Sequence, residues 1–586
     1  MWQSFTILVG ALGGITRAQT PTRDGLVLCP LKGQQFPVPS GLAQETVWQE
    51  TAKSLRDTLE ANITQTPYNA TTFSVGIFST TDAGLLFEYH HGDQTVVTSK
   101  LGANKVDADS IYRIASLSKI LTIYLWLIRD GDRRLSDPII EHIPQLATFD
   151  VSQVDYPLPD WSEITVGDLM SFLAGAGRDY GLNDLAISGS VTGGLPELAA
   201  QNLMNDTTSR QRPTCGFVEA GLYLECNQDE YIRALSQLGA SFPSSTTPLY
   251  SNANWAILGL ALSNLLESPM EHIFNTSLVN PLNLTGTTYS TPKHVTRHSV
   301  VPDGNTSYCR WDDELGPIAP AAGAYSTTND LAAIGKAILN STLVSKSITR
   351  RWFAATSFVD KIDQAVGRGW EIFRLKSGGH TVDLYTKGGN WGSYSSVFAV
   401  IPDYNVGFSL LSVSTKAYGK FTDDFPNVLA PILLDAVEKI GREQANHNFV
   451  GQYHSQSSNT SVRVEMDDLP GLKLTEYIYK GTDMGVVFGD LNKEVDFRLI
   501  PNHLAKGKGQ FGFTGVYARP QPPLANGSFY FPCQSWLDID DFTYDSVPLG
   551  NFMFEVDENG RAGSVQLKAF KEKLERKLGI RDKNMA

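Results

Sequence analysis

Hydrophobic and polar positions divide the chain into stretches of different period. Residues 73–89 (FSVGIFSTTDAGLLFEY) read as two strands around a Thr-Thr-Asp-Ala-Gly turn, and the unbroken apolar run at 120–128 predicts a helix too hydrophobic for a surface. Periodicity is lost over 176–228, rich in Gly, Asn, Asp and Thr; we expect a surface excursion there, placed to shape a pocket rim. The helical spacing returns at 229–238, 254–266 and 328–339, each behind a polar cap or turn. Between 369 and 413 the pattern turns to strands, GWEIFRL, TVDLYTK, SSVFAVIP and VGFSLLSV, joined by turns, which predicts an antiparallel meander. A helix is expected over 424–443. From about residue 450 onward, short runs such as SVRVEM, TEYIYK, MGVVFG, FRLIP and GSVQLKAF alternate with turn residues, so a separate all-β domain is expected. The organisation expected is a signal peptide over 1–18, an N-terminal extension over 19–72, a main domain of mixed helices and strands over 73–445 and a C-terminal β domain over 446–586.

Composition narrows the partners. The 586 residues are 42% hydrophobic and 19% charged, an ordinary globular balance. The net charge of -14 has the wrong sign for gripping phosphate backbones or anionic membrane surfaces. Residues 5–15 form a short apolar run ending in Thr16-Arg17-Ala18, which suits signal-peptide cleavage after Ala18. Nine Asn-x-Ser/Thr sequons, at Asn62, Asn69, Asn205, Asn275, Asn283, Asn305, Asn340, Asn459 and Asn526, fit a secreted glycoprotein. No run reaches the roughly 18 apolar residues of a membrane span. Of the five cysteines, Cys215 and Cys226 are expected to bridge a polar loop, leaving Cys29, Cys309 and Cys533 to compete for one further bond. No Cys/His spacing indicates a metal, and no cofactor is expected. His90-His91 reads as a turn, and the charged segment 571–577 as a solvated helical or strand end.

Three short motifs carry chemistry. Ser116-Leu117-Ser118-Lys119 stands where a polar approach becomes the apolar helix, placing Lys119 one turn after Ser116 on the same face. A serine hydroxyl is a weak nucleophile until a base takes its proton, and desolvation lowers a lysine pKa enough to make a neutral amine base possible. A second Ser-x-x-Lys, Ser290 to Lys293, contains a proline, lacks a following apolar helix and reads as a loop. Tyr250-Ser251-Asn252 lies 134 residues after Ser116, just before the next apolar helix. A phenol beside an ammonium can exchange protons with serine, and an asparagine amide can bind substrate. Lys387-Gly388-Gly389 follows at a strand end, where glycine lets substrate approach and the Asn390 N–H can meet an oxyanion. Lys376-Ser377-Gly378 is read as a hairpin turn.

In this order the three motifs resemble the serine β-lactamase and penicillin-binding protein family, whose signatures are Ser-x-x-Lys, Tyr-x-Asn and Lys-Thr-Gly or variants. IYRIASLSK, ITVGDLMSFLAGAG and PAAGAYSTTNDLAAIGKAI are similar to its class C β-lactamase, esterase and DD-peptidase branch, over residues 73–440 or so. The resemblance, to the secreted fungal type with an additional C-terminal β domain, implies an α/β (α+β) fold, an antiparallel sheet flanked by helices with a helical subdomain. It implies Ser116 as acyl-forming nucleophile, Lys119 and Tyr250 as the proton-transfer pair, and Asn252, Lys387, Gly389 and Asn390 as substrate-binding residues. The oxyanion would meet the N–H groups of Ser116 and Asn390, and Gly323 would be structural. Gly388 replaces the Thr or Ser of many members, and SFLAGAG departs from His-Thr-Ser-Gly, which disfavours β-lactam turnover. The expected substrate is a small-molecule or peptide ester or amide. Hydrolysis, acyl transfer and non-catalytic binding stay open at this level, as does the oligomeric state.

Overall fold

The computed structural model describes residues 22–23, 26–27, 30–66, 68–150, 152, 154–180, 216–219, 222–224, 227–416, 418–488, 495–505, 507–518, 534–537 and 539–577. The expected signal peptide, most of the 176–228 excursion, and Cys29, Cys215, Cys226 and Cys533 lie outside them. Cys309 is a buried free thiol. The chain forms two compact units. One comprises Ala52–Phe373 and Leu384–Leu429, the other Met1–Thr51, Arg374–Asp383 and Ala430–Ala586.

The first unit contains most of an eight-stranded sheet. Its strands are β1 (Thr72–Ser79), β2 (Leu85–His91), β3 (Ala355–Phe358), β4 (Gln364–Gly367), β5 (Glu371–Ser377), β6 (His380–Trp391), β7 (Tyr394–Ile401) and β8 (Val406–Val413), in the order β2-β1-β8-β7-β6-β5-β4-β3. The meander is as expected, and β1 and β8 are buried along their whole lengths because both sheet faces are covered. The apolar run becomes α1 (Ser118–Arg129), buried from Ser118 to Leu127. It packs against α2 (Asn252–Leu266), whose Trp255 indole donates to the Lys119 carbonyl (3.1 Å) while Trp126 donates to that of Leu258 (3.1 Å). Each fully buried large side chain contributes roughly 1.5–3 kcal/mol, so this helix pair is rigidly held. α3 (Thr328–Leu339) packs against β1 and β8, and its Lys336 ammonium donates to the carbonyls of Asp82, Ala83 and Gly84 (2.8–2.9 Å) in the β1–β2 turn.

Three local expectations need correction. His90 and His91 are not a turn but the end of β2, with the His90 ring 2.9 Å from the Ser74 hydroxyl; ladder pairing with β1 continues through both residues. Lys387-Gly388-Gly389 is not at a strand end. β6 runs on to Trp391, pairing Gly388 with Val397 and Gly389 with Ser396, and the chain reverses only at Gly392. MGVVFG is not a strand, since Gly485–Phe488 is one helical turn with Val486 exposed. An apolar run that short carries no readable period.

In the second unit, helix α4 (Pro426–Phe449), which begins in the first, leads to strands β9 (Gly451–His454), β10 (Ser461–Glu465), β11 (Leu472–Tyr479), β12 (Thr482–Asp483), β13 (Asp496–Pro501), β14 (Gln510–Ala518), β15 (Asn551–Val556), β16 (Ala562–Leu567) and β17 (Glu572–Arg576). Their order is β10-β9-β17-β16-β15-β14-β13-β11-β12, and a further pairing of β10 with β11 closes eight of them into a barrel. Phe449, Tyr453, Phe513, Phe552 and Phe554 fill its interior. The segment 571–577 is therefore a paired strand rather than a solvated end: β17 sits between β9 and β16, with Lys573 and Glu575 exposed on one face and Leu574 fully buried on the other, flanked by half-buried Glu572 and Arg576.

Candidate active site

Ser116 lies in a single 3-10 turn, Ala115–Leu117, immediately ahead of α1. The preceding Ala115 has a positive φ of 47°, costly for a residue with a side chain, by roughly 1–3 kcal/mol. Neighbours hold it there. Ile114 N–H donates to the Ala324 carbonyl (3.0 Å), and the Ser118 hydroxyl donates to Ala115 O (2.6 Å) and accepts from Ala324 N–H (3.0 Å). From the other side, the Ser396 hydroxyl of β7 donates to Ile114 O (2.8 Å).

Lys119, one turn on, is fully buried, and its ammonium uses all three donors: to Ser116 Oγ (3.0 Å), Asn252 Oδ1 (2.7 Å) and the Ala321 carbonyl (2.9 Å). Burial drives its pKa below the ordinary lysine value, against the pull of Tyr250. Tyr250 donates to Ser116 Oγ at 2.7 Å, so the hydroxyl sits between phenol and ammonium. Burial pushes the phenol pKa up, but the Lys119 and Lys387 charges outweigh it and the net position is below an ordinary tyrosine. Among the described residues three cations ring its face, Lys119 and Arg178 each 4.8 Å and Lys387 5.2 Å from the centroid. Phe172 stacks on the same ring at 5.8 Å.

Ser251 caps α2, accepting from Asn254 N–H (3.3 Å). Asn252 thus points its amide inward: Oδ1 accepts from Lys119 and Nδ2 donates to Asp179 Oδ1 at 2.7 Å. Asn252 therefore links Lys119 to Asp179. Burial raises Asp179 to about 6, despite the hydrogen bond from Asn252 and the Arg178 charge.

β6 forms the facing wall. Lys387 is buried and bonded to Glu371 of β5 (2.5 Å) and to the Gly388 carbonyl (2.8 Å). Gly388 N–H donates to the other Glu371 oxygen (3.1 Å). At Gly389 the strand backbone lies against the Ser116 turn so closely that a Cβ would stand 2.4 Å from Ile114 O and 2.9 Å from Ser116 N. Asn390, next along the strand, pairs with Ser395 and has an exposed side chain. Ser116, Lys119, Tyr250, Asn252, Lys387 and Gly389 are thus brought together, with Asn390 at the rim. Gly323 stays out of contact, within the turn whose Ala321 and Ala324 serve the site. Asp179, Glu371, Arg178 and Ser118 were not anticipated. Asp179 and Arg178 stand in a segment without periodicity, and Glu371 and Ser118 lie inside strings quoted for other reasons. The second Ser-x-x-Lys is in a loop, and Lys376-Ser377-Gly378 enters a hairpin turn with Gly378 and Gly379 at positive φ, both as expected. No cluster of potential metal ligands occurs among the described residues.

Residues 81–430 match the family model described as β-lactamase, and residues 441–578 the one described as the C-terminal domain of β-lactamase-like proteins. A probable hydrolase of Phoma sp. is 25% identical over 563 residues, covering 92% of this chain and 89% of its own. A β-lactamase-like protein of Arthroderma benhamiae is 27% identical over 606 residues, covering 94% and 96%. Among solved structures, the β-lactamase/D-alanine carboxypeptidase of Yersinia pestis aligns with a TM-score of 0.46 at 18% identity, covering 67% of this chain and 99% of that one. With a family match across more than half its length, the chain belongs to the β-lactamase family.

Proposed function

We propose that the protein is a secreted serine hydrolase that cleaves an ester or amide through an acyl-Ser116 intermediate. One observation carries the reading: Ser116 Oγ lies within hydrogen-bond distance of both Lys119 Nζ (3.0 Å) and Tyr250 Oη (2.7 Å). With both pKa values displaced downward, the Tyr250–Lys119 pair can take the serine proton as Oγ attacks the acyl carbonyl, then deliver it to the leaving group. The Ser116 and Asn390 N–H groups receive the developing oxyanion. Water then attacks the acyl-enzyme, with the same pair taking its proton, and Ser116 is regenerated. The peripheral position of the sequons supports secretion: Asn69, Asn283, Asn305, Asn340 and Asn459 are exposed and Asn62 and Asn275 partly so.

The test is hydrolysis of p-nitrophenyl butyrate by wild type and Ser116→Ala, with nitrocefin in parallel and a fluorophosphonate probe read by intact mass. Ester turnover and labelling that both vanish in the variant are expected. Equal turnover by the two proteins, or absence of labelling in folded wild type, would overturn the assignment.

A further inference from the structure

The charges at the mouth of the site bear on which acyl donors it accepts. Of the three cations that ring Tyr250, Lys119 spends its donors inward on Ser116, Asn252 and Ala321. Lys387 is engaged by Glu371 at 2.5 Å, and Arg178 has the Asp179 carboxylate at 3.4 Å. Glu371 does more than neutralise a charge. One oxygen takes the Lys387 ammonium, the other the Gly388 N–H, and its backbone carbonyl accepts from the Thr386 hydroxyl (2.7 Å), so three consecutive residues of β6 fix it. It is nevertheless about one-third exposed, while Lys387 is 2% exposed. A molecule approaching this wall meets the carboxylate before the ammonium. Gly388 adds no hydroxyl, and a Cβ there would meet only Glu371 Oε2, at 3.8 Å.

We propose that Glu371 is a specificity-determining residue: by occupying Lys387 and the Gly388 N–H with its own carboxylate, it restricts the site to acyl donors whose acyl group carries no negative charge. The substrates are then neutral esters or amides. Anionic donors are excluded twice, because the cation that would hold their carboxylate is already bound and the group in its place repels them. The inference rests on the acyl-Ser116 reading and adds the substrate's charge class to it.

The test uses two esters of equal length, p-nitrophenyl hexanoate and the mono-p-nitrophenyl ester of adipic acid, which differ by a methyl against a carboxylate. For wild type, kcat/KM is expected to favour hexanoate by at least about tenfold at pH 7.5 and low salt, narrowing as salt rises. Glu371→Gln keeps the shape, removes the charge and is expected to shift the ratio at least about tenfold toward the adipate, chiefly through KM. A wild-type ratio within threefold, or a ratio unchanged in Glu371→Gln, overturns the proposal. The wild-type ratio does not depend on the variant folding. Where turnover is slow, the rate of acylation of Ser116 by each ester, followed by mass, gives the same ratio. Acylation of Ser116 without discrimination refutes the specificity alone, whereas hydrolysis that persists in Ser116→Ala, or no acylation by either ester, refutes the reading beneath it.

Discussion

Gly389 offers the most direct check on how Ser116 is positioned. A Cβ at this residue would lie 2.4 Å from Ile114 O, 2.7 Å from Ser396 Oγ and 2.9 Å from Ser116 N. Ordinary contact begins near 3.4 Å, so Gly389→Ala requires the strand and the Ser116 turn to part by about 1 Å. Two of the three obstructing atoms are backbone, which leaves only the Ser396 hydroxyl free to rotate away. If the strand yields, the Asn390 and Ser116 N–H groups proposed to receive the oxyanion move apart, and misplacement on this scale costs about 100-fold in kcat. If the strand holds, overpacking costs about 1–3 kcal/mol of stability. Some of each is expected. Gly388→Ala is the control: its Cβ would meet only Glu371 Oε2, at 3.8 Å, and activity should stay within about threefold of wild type. The assay is p-nitrophenyl butyrate turnover beside urea unfolding for both variants. Gly389→Ala with near-normal turnover and an unchanged unfolding midpoint would refute the close approach. So would equal damage from Gly388→Ala.

The remaining predictions concern protons and buried charge. Tyr250→Phe removes the donor 2.7 Å from Ser116 Oγ and is expected to lower kcat about 100-fold or more with the fold intact, read by turnover beside circular dichroism. Asp179 binds its proton more tightly in the folded state, at about 6 against 3.8. Its contribution is therefore fully present below pH 3.8 and lost as pH rises through about 6, amounting to about 3 kcal/mol. Asp179→Asn, which keeps an acceptor for Asn252, should abolish that slope in urea unfolding between pH 4 and 7 and be the more stable protein at pH 8; an unchanged slope would assign it elsewhere. In the barrel, Arg498 binds Asp467 and Asp496 through four hydrogen bonds of 2.5–2.9 Å and is 6% exposed. Arg498→Ala strands a buried carboxylate and should cost about 3–5 kcal/mol, measured as a fall in Tm, with a change below 1 kcal/mol counting against the network.

What the sequence revealed and what it hid separate along the distance over which each signal acts. The buried helix was legible because ten successive residues from Ser118 to Leu127 share one environment, and the hairpins because turn residues punctuate alternating runs. The reactive trio was legible because each member belongs to a short motif with its own chemistry. Asp179 and Glu371 had no such mark. Asp179 matters through Asn252, 73 residues away, and Glu371 through Lys387, 16 residues away across a strand ladder, so the partner is chosen by topology. The same reason hid the barrel's closure. Nothing local in SVRVEM announces that β10 pairs with β11 on one side and β9 on the other, and the alternating charges of 572–576 read as solvent until β9 and β16 are known to flank them. MGVVFG failed in the opposite direction, with a locally persuasive composition but too few residues to carry a period.

The Ser116 turn shows why such long-range partners are needed. Ala115 at φ 47° is unfavourable by itself, and the local Ser118 hydroxyl that bonds its carbonyl is itself anchored by a distant residue. Its geometry is imposed by Ala324, more than 200 residues later, and by Ser396, which is 282 residues from Ile114. The same contacts that force the turn also aim Ser116 Oγ between Lys119 and Tyr250 and set its N–H against β6. Strain and alignment are therefore two consequences of one constraint. A polypeptide that relaxed Ala115 to negative φ would gain local stability and turn Ser116 away from Lys119 and Tyr250. Ala324 and Ser396 hold the Ser-x-x-Lys turn from opposite sides, which distinguishes it from the second copy of the motif, at Ser290 to Lys293, which lies in a loop with no helix behind it.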